Sequence, residues 1–117
     1  MNYKLDIADS AKADIKETLA YIKNTLSNPK AASELADLIT SEIESLKKFP
    51  FSGTPVTDQF LAKYGFRFLL IKNFKAYYIA DKSKKLVNII RFLYAGRDYE
   101  SILKEETPAL FVDEFHK

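Results

Sequence analysis

The spacing of apolar residues between positions 9 and 48 most constrains the fold. Apolar side chains recur there every three or four residues, as on one face of a helix, and the pattern breaks once, at Asn28-Pro29. Asparagine followed by proline suits a helix start, because asparagine can cap the first turn and proline tolerates the first helical position. The sequence therefore predicts two amphipathic helices joined by a tight turn. The first begins near Asp9 or Ser10, either of which can cap it, and the second ends near Lys48.

Strand-like segments flank this helical hairpin. Residues 3–7 alternate between apolar and polar, which predicts a short strand with one buried face. Residues 66–71, 74–80 and 86–95 are nearly continuous apolar runs separated by short polar connections, which implies antiparallel neighbours. Residues 49–55 contain two prolines and a glycine and form the predicted loop between the two layers. The predicted fold class is α+β, with the hairpin packed on one face of a three-stranded antiparallel meander and a short C-terminal helix or tail.

Three details of this sheet follow from the residues. The apolar runs alternate too weakly to show which face the helices cover, so either both faces are buried or one awaits a partner. Tyr77 and Tyr78 are adjacent and point to opposite faces, and one of them is expected in the core. In the two-residue turn Lys72-Asn73, Asn73 is the residue expected to tolerate a positive φ.

The length and composition predict a single domain in the cytoplasm. Residues 1–103 are expected to form this domain, and residues 104–117 an acidic C-terminal extension. The chain has no cysteine, which excludes disulfides and thiolate metal sites. The N-terminus lacks the features of a signal peptide, and no apolar run approaches the roughly 20 residues of a membrane helix. No membrane association is therefore expected.

Basic residues are concentrated in one part of the chain. Residues 60–97 contain nine lysines and arginines and a single acidic residue, Asp81, whereas residues 98–117 contain six acidic residues and two basic ones. A segment this basic attracts phosphates or an acidic partner surface. The acidic residues of the predicted helices are expected to face solvent, among them Asp14, Glu17, Glu42 and Glu44.

The sequence lacks the patterns of several common active sites. It has no glycine-rich phosphate loop, no zinc-ligand spacing and no serine or cysteine nucleophile with a histidine partner, because its one histidine is the penultimate residue. No metal or cofactor is predicted. The remaining candidates are cations and phenols on or near the predicted strands, which can hold a phosphodiester, stabilise charge and stack on bases. They are Arg67, Lys75, Tyr77, Tyr78, Arg91, Tyr94, Arg97 and Tyr99.

A series of short motifs follows the predicted elements in order. From the N-terminus they are Ala13-Asp14, Asn28-Pro29, Ala31-Ala32, Phe49-Pro50, Gly53, Tyr64-Gly65-Phe66-Arg67, Lys72-Asn73-Phe74-Lys75-Ala76-Tyr77-Tyr78 and Ile89-Ile90-Arg91-Phe92-Leu93-Tyr94-Ala95-Gly96-Arg97-Asp98. No single motif is specific, but their order and spacing over residues 3–103 resemble the RelE/ParE toxins of bacterial type II toxin-antitoxin systems.

The resemblance implies partners and a target inside the cell. It implies a basic concave surface that a cognate antitoxin, encoded by a neighbouring gene, wraps and blocks. RelE-like toxins cut messenger RNA on the ribosome, whereas ParE-like toxins inhibit DNA gyrase. Ribosome-dependent messenger RNA cleavage by a metal-independent endoribonuclease is the function expected first. Inhibition of DNA gyrase and a non-toxic basic binding module are the alternatives.

The resemblance also implies roles for particular residues. Lys75 lies where the RelE pattern has an arginine, Arg97 lies on the arginine after the last strand, and Tyr94 lies where many relatives have histidine; these three are the catalytic candidates. Leu103 stands where RelE-like nucleases place a tyrosine. The candidates for binding the target or RNA are Arg67, Lys72, Arg91 and Tyr99. Alternatively, Arg97 pairs with a helix carboxylate such as Asp14 or Glu17 and serves only stability.

Overall fold

The computed structural model describes residues 2–96, 100, 103 and 104. Strand β1 (Lys4–Ile7) precedes helices α1 (Asp9–Ala20) and α2 (Pro29–Ser45), which are followed by strand β2 (Thr54–Pro55) and helix α3 (Gln59–Lys63). Strands β3 (Arg67–Ile71), β4 (Phe74–Asp81) and β5 (Leu86–Tyr94) follow. The predicted α+β class is confirmed, with the hairpin, the first strand and the meander where the sequence places them.

The first helix is not capped as the sequence predicts. Asp9 already lies inside α1, the cap position belongs to Ala8, and no side chain caps the first turn. The hydroxyl of Ser10 instead donates a hydrogen bond of 2.8 Å to the carbonyl of Ile90 in β5. The prediction of a cap at Asp9 or Ser10 is therefore wrong, because Ser10 is used to join α1 to the sheet.

A π-helical turn (Tyr21–Thr25) connects the two helices of the hairpin. The amide of Leu26 donates to the carbonyl of Tyr21, five residues earlier. This turn was not predicted, because the apolar spacing continues through it. The predicted cap of α2 is confirmed, because the side chain of Asn28 accepts a hydrogen bond of 3.1 Å from the amide of Ala31.

The strands form one sheet in the order β1-β5-β4-β3-β2. Strands β3, β4 and β5 are the predicted antiparallel meander, whereas β1 lies parallel to β5. Parallel neighbours need a long crossover connection, and here the connection includes the hairpin. Strand β5 has a bulge at Ile90, since Tyr77 pairs with Arg91 and Tyr78 pairs with Ile89.

Apolar side chains are buried on both faces of the sheet. On the face covered by the hairpin, the buried residues are Ala11, Leu35, Ile39, Ile43, Leu46, Ile71, Ala76, Tyr78, Val87, Ile89 and Phe92. On the opposite face, they are Val56, Leu61, Phe66, Tyr77, Ile90 and Leu103. The interpretation that one face awaits a partner is therefore wrong for the part that α3 and Leu103 cover, and both tyrosines are core residues.

Residues following β5 contact α3. Asp58 caps α3 by accepting a hydrogen bond of 3.1 Å from the amide of Leu61. Its carboxylate also pairs with Lys104 at 3.2 Å, and its amide donates to the carboxylate of Glu100 at 3.4 Å. Lys104, which the sequence assigns to the C-terminal extension, thus contacts the domain. The rest of the predicted C-terminal helix, at residues 98, 99, 101 and 102, and the tail at 105–117 lie outside the described residues.

The sequence misassigned two connections. The predicted loop at residues 49–55 ends in the short strand β2, which pairs with β3, and α3 follows it. In the β3–β4 turn, Lys72 has the positive φ, 56°, and Asn73 does not. The register, in which Ile71 pairs with Phe74, imposes this backbone conformation on the lysine.

Candidate functional site

Arg91, a predicted target-binding residue, is bound to Asp14 of α1. The Nε and Nη2 atoms of Arg91 donate to the two carboxylate oxygens of Asp14, at 2.7 and 3.0 Å. One of these oxygens also accepts a hydrogen bond of 3.0 Å from the amide of Phe92. Both side chains are largely buried. The expectation that Asp14 faces solvent is therefore wrong.

Asp14 and Ser10 lie one helical turn apart and bind the same edge of β5. Strand β1 pairs with β5 as far as Ile89. Beyond that point, Ser10 binds the carbonyl of Ile90 and Asp14 binds the amide of Phe92. Helix α1 thus satisfies the backbone groups that would otherwise be unpaired at a sheet edge.

Arg67, a second predicted binding residue, holds the loop that follows α2. Its Nη1 atom donates to the carbonyls of Phe51 and Gly53, at 3.1 and 2.8 Å. Its guanidinium also lies over the Phe51 ring, 5.5 Å from the ring centre. The amide of Gly53 donates to the hydroxyl of Tyr78 at 2.8 Å. Through these contacts Arg67 orders the loop.

Lys75 and Tyr94, two of the three catalytic candidates, lie on opposite faces of the sheet. Tyr94 pairs with Phe74, and their rings are in edge contact with centroids 6.1 Å apart. Lys75 is the next residue of β4 and points to the other face, where its Nζ atom lies 4.4 Å from the centre of the Phe68 ring. The structure therefore does not bring these two side chains together.

The sheet end formed by the β3–β4 turn and the end of β5 is the most exposed apolar part of the meander. Leu70 is 63% exposed and Tyr94 is 50% exposed. Lys72 in the turn is exposed as well, and Lys75 is half-buried beside Leu70, with which it pairs. We call these four residues the β3–β4 surface, which extends around this end of the sheet: Tyr94 lies on the hairpin face, Leu70 and Lys75 lie on the opposite face, and Lys72 lies in the turn.

The chain that leads from β5 to Arg97 begins at this surface. The amide of Ala95 donates a hydrogen bond of 2.7 Å to the carbonyl of Asn73. The Tyr94 ring lies directly over Gly96, where a Cβ atom would collide with it. Arg97 and Tyr99 themselves lie outside the described residues, so their predicted roles stay predictions.

Sequence reasoning missed two residues that matter here. Asp14 was part of the Ala13-Asp14 motif, and that motif was the available signal that its carboxylate has a specific partner. Leu70 was part of an apolar strand run, and it lies in β3 beyond Phe68, where the pairing with β2 ends, with its side chain exposed. Leu103 is completely buried on the second face, and leucine offers no group for proton transfer.

The titratable groups with shifted pKa values have structural roles. Burial raises the pKa of Tyr78 above its ordinary value. The hydrogen bond from the Leu61 amide lowers the pKa of Asp58, and the hydrogen bond from Ser83 lowers the pKa of Asp81. None of these three groups belongs to the predicted catalytic set.

Among the described residues, no three acidic or histidine side chains are grouped to hold a metal ion. An apolar cavity of about 240 Å³ lies between α1, α2 and β1. Its lining includes Ile15, Ile39 and Thr40. No helix in the described part of the chain has the length and apolar character to cross a bilayer.

A similar fold occurs in chains of solved toxin-antitoxin systems. A chain from the chromosomal ParDE system of P. aeruginosa matches with a TM-score of 0.63 and 20% identity, over 79% of this chain and 95% of that chain. A chain from the RelBE2 complex of Mycobacterium tuberculosis matches with a TM-score of 0.55 and 15% identity, over 80% and 99%. These likenesses show the fold.

The family follows from the sequence. Residues 5–99 match the model of the ParE toxin of the type II toxin-antitoxin system parDE. The chain therefore belongs to the ParE toxin family. No curated protein sequence matches it significantly. The resemblance to RelE/ParE toxins that the motifs indicated is confirmed.

Proposed function

We propose that this toxin inhibits DNA gyrase by binding to it, rather than by cutting messenger RNA. The supporting observation is that the predicted catalytic groups within the described residues do not converge. RNA cleavage requires a proton acceptor and a cation within reach of one phosphate. Lys75 and Tyr94 lie on opposite faces, and Arg67 and Arg91 make contacts within the domain. The separation of these side chains thus supports inhibition of gyrase over cleavage of messenger RNA.

The β3–β4 surface has the composition of a protein-binding surface. Protein interfaces concentrate their binding energy in a few aromatic, aliphatic and arginine anchors surrounded by polar groups. Tyr94 is exposed on one face of this sheet end, Leu70 is exposed on the other face beside Lys75, and Lys72 is exposed in the turn. The contacts of Tyr94 with Phe74 and Gly96 restrict its ring before binding, which lowers the entropic cost of association. We assign the gyrase contact to this surface.

The first experiment compares two exposed tyrosines in a gyrase supercoiling assay. We expect Tyr94→Ala to weaken inhibition about tenfold or more, as for an anchor residue at an interface. Tyr21→Ala is the matched control, because Tyr21 is 55% exposed but lies in the π-helical turn. Circular dichroism checks that both variants are folded. Equal inhibition by wild type and Tyr94→Ala would show that the surface is misplaced.

The choice of target is tested by adding wild type and Arg97→Ala separately to a coupled translation extract and to the gyrase assay. The proposal predicts that wild type traps or inhibits gyrase and leaves messenger RNA intact. Ribosome-dependent loss of full-length messenger RNA, abolished in Arg97→Ala, would instead establish the RelE-like activity that the sequence favoured. Inactivity of wild type in both assays would leave a non-toxic binding module.

The antitoxin is the second partner that we propose. Two chains that this protein resembles come from toxin-antitoxin systems, and the basic residues of the sheet attract an acidic segment. The apolar cavity between the helices and β1 fits the apolar side chains of such a partner. We therefore expect the neighbouring gene product to combine acidic residues with an apolar helix face.

Filling the cavity with a large side chain tests whether the antitoxin docks there. Thr40 is exposed at the cavity, so Thr40→Trp should block the partner without disturbing the core. Ser41→Trp is the control, because Ser41 is exposed on the same helix and is not part of the cavity lining. Pull-down with the neighbouring gene product should fail for Thr40→Trp and succeed for Ser41→Trp. Equal capture of both variants would exclude the cavity as the docking place.

A further inference from the structure

A second basic and aromatic surface lies at the opposite end of the sheet. Strand β5 extends over nine residues from the β4–β5 turn to Tyr94, so the two ends are roughly 26 Å apart. At the turn end, the loop after α2 passes the beginning of β1 and the lysines of the turn. We call this the loop surface, formed by Tyr3, Phe49, Phe51, Lys82 and Lys85. Neither the gyrase contact nor the antitoxin contact uses it.

The loop surface pairs aromatic rings with cations at short distances. The Nζ atom of Lys82 lies 5.2 Å from the centre of the Phe51 ring, and that of Lys85 lies 5.4 Å from the centre of the Tyr3 ring. The Tyr3 and Phe51 rings are in edge contact, with centroids 6.2 Å apart. Phe49 is 63% exposed beside them. Phenyl rings this exposed are costly unless they serve contact with a partner.

The backbone under these rings is fixed. Arg67 holds the carbonyls of Phe51 and Gly53, and Tyr78 holds the amide of Gly53. A Cβ atom at Gly53 would lie 2.6 Å from the Tyr78 hydroxyl, so the loop can approach this closely only with glycine. The amide of Ser52 donates to the carbonyl of Phe49, which closes the turn between the two phenylalanines. A platform of this kind loses little entropy on binding.

The charge of the loop surface favours an anionic ligand. Lys82 and Lys85 are both exposed. The nearby acidic residue of the turn, Asp81, accepts hydrogen bonds from the amides of Ser83 and Lys84 and from the Ser83 hydroxyl. Its carboxylate keeps its charge, but residues 81–85 contain three lysines against this one acidic residue, so the turn is net positive.

We infer that the loop surface binds single-stranded nucleic acid. Every base offers a flat face that stacks on an aromatic ring, and the neighbouring phosphates meet cations beside the ring. Phe49 supplies the exposed ring for stacking, while Lys82 and Lys85, which lie over the Phe51 and Tyr3 rings, supply the cations. A duplex does not fit these rings as well, because its base faces are already stacked on one another. An acidic peptide matches the cations but leaves the exposed phenyl faces without stacking partners.

The test uses the full chain and two fluorescent single-stranded oligodeoxynucleotides of equal length, one ordinary and one abasic. Anisotropy titrations give the affinity at several salt concentrations. We expect Phe49→Ala to weaken binding of the ordinary strand about fivefold or more, the lower range for one stacked base. The same substitution should leave binding of the abasic strand unchanged, since that strand has no base to stack.

The cations are tested by the double substitution Lys82→Gln and Lys85→Gln. Loss of two phosphate contacts should reduce the slope of log affinity against log salt by about 1.4 for a single strand. The matched control is Lys12→Gln with Lys16→Gln, which removes the same charge from exposed positions of α1 and should leave the slope unchanged. Equal losses in the two double variants would overturn the inference. So would wild type that binds anionic vesicles but not the oligonucleotide, or Phe49→Ala that weakens both strands equally.

Discussion

Asp14 joins helix α1 to strand β5 through one carboxylate. It binds the Arg91 guanidinium and the Phe92 amide, and it does so from a helix that also binds the edge of β5 through Ser10. A carboxylate with several donors in a largely buried place is costly to remove, because its partners lose this compensation for burial. Residues that look like surface charges in the sequence can therefore determine how helix and sheet fit together.

Replacing Asp14 tests this role. We expect Asp14→Ala to lower the free energy of unfolding by about 3 kcal/mol, since Arg91 would be left largely buried and without its carboxylate. Glu17→Ala, on an exposed position of the same helix, should change it by less than about 0.5 kcal/mol. Urea denaturation measures both values. Similar midpoints for the two variants would mean that the ion pair contributes little.

Tyr78 gives a prediction with a defined pH range. Tyr78→Phe should lower the free energy of unfolding by about 1 kcal/mol near neutral pH, because the Gly53 amide loses its acceptor. Burial raises the pKa of Tyr78 above 10.0 in the folded state. Above that pH the unfolded chain therefore releases the Tyr78 proton while the folded protein keeps it, and wild type loses stability as the pH rises. The difference in the free energy of unfolding between wild type and Tyr78→Phe should therefore be smaller above pH 10.0 than at neutral pH. Urea denaturation at neutral pH and above pH 10.0 measures this difference.

At the scale of the elements, short strands and turns determine which residues of the sheet are exposed and which are strained. Strand β2 has only two residues, so it covers β3 as far as Phe68 and leaves Leu70 exposed. The β3–β4 turn has only two residues as well, and it places Lys72 at a φ of 56°. A residue with a Cβ atom is strained in this conformation, and glycine is not.

Lys72→Gly should therefore stabilise the protein. We expect a gain of about 0.5 to 1 kcal/mol, the relief of backbone strain less the greater entropy of glycine in the unfolded chain. Asn73→Gly, at the neighbouring turn position without a positive φ, should give no gain. Thermal denaturation compares the two. A lower melting temperature for Lys72→Gly than for wild type would indicate that the lysine side chain stabilises the turn.

At the scale of the whole molecule, the second face of the sheet makes the C-terminal residues part of the domain. Leu103 is completely buried there with Tyr77 and Ile90, and Lys104 pairs with the carboxylate that caps α3. These contacts fix the chain on both sides of Arg97, at Gly96 over Tyr94 and at Leu103 in the core.

Leu103→Ala measures this second core. We expect a loss of about 2 to 4 kcal/mol, the usual range for a leucine truncated in a packed interior. Leu70→Ala is the control on the same face, and it should cost less than about 0.5 kcal/mol because Leu70 is exposed. Urea denaturation gives both values. A small loss for Leu103→Ala would mean that Leu103 contributes little to the packing of the second core.

The sequence alone determined α1, α2 and the four longer strands, because periodicity and turn residues are local properties. It did not predict β2, α3 or the π-helical turn. The apolar stripe predicted the hairpin, Asn28 predicted the second cap, and three apolar runs predicted the meander; the order of motifs indicated the toxin family. Tertiary structure decided which charged residues are free to meet a partner. Arg67 and Arg91 are like any exposed arginine in the sequence, and only their contacts with the loop carbonyls and with Asp14 show otherwise. Strand register and packing decide which side chains distant in sequence meet, and they place Lys75 and Tyr94 on opposite faces of the sheet. Local sequence does not specify them.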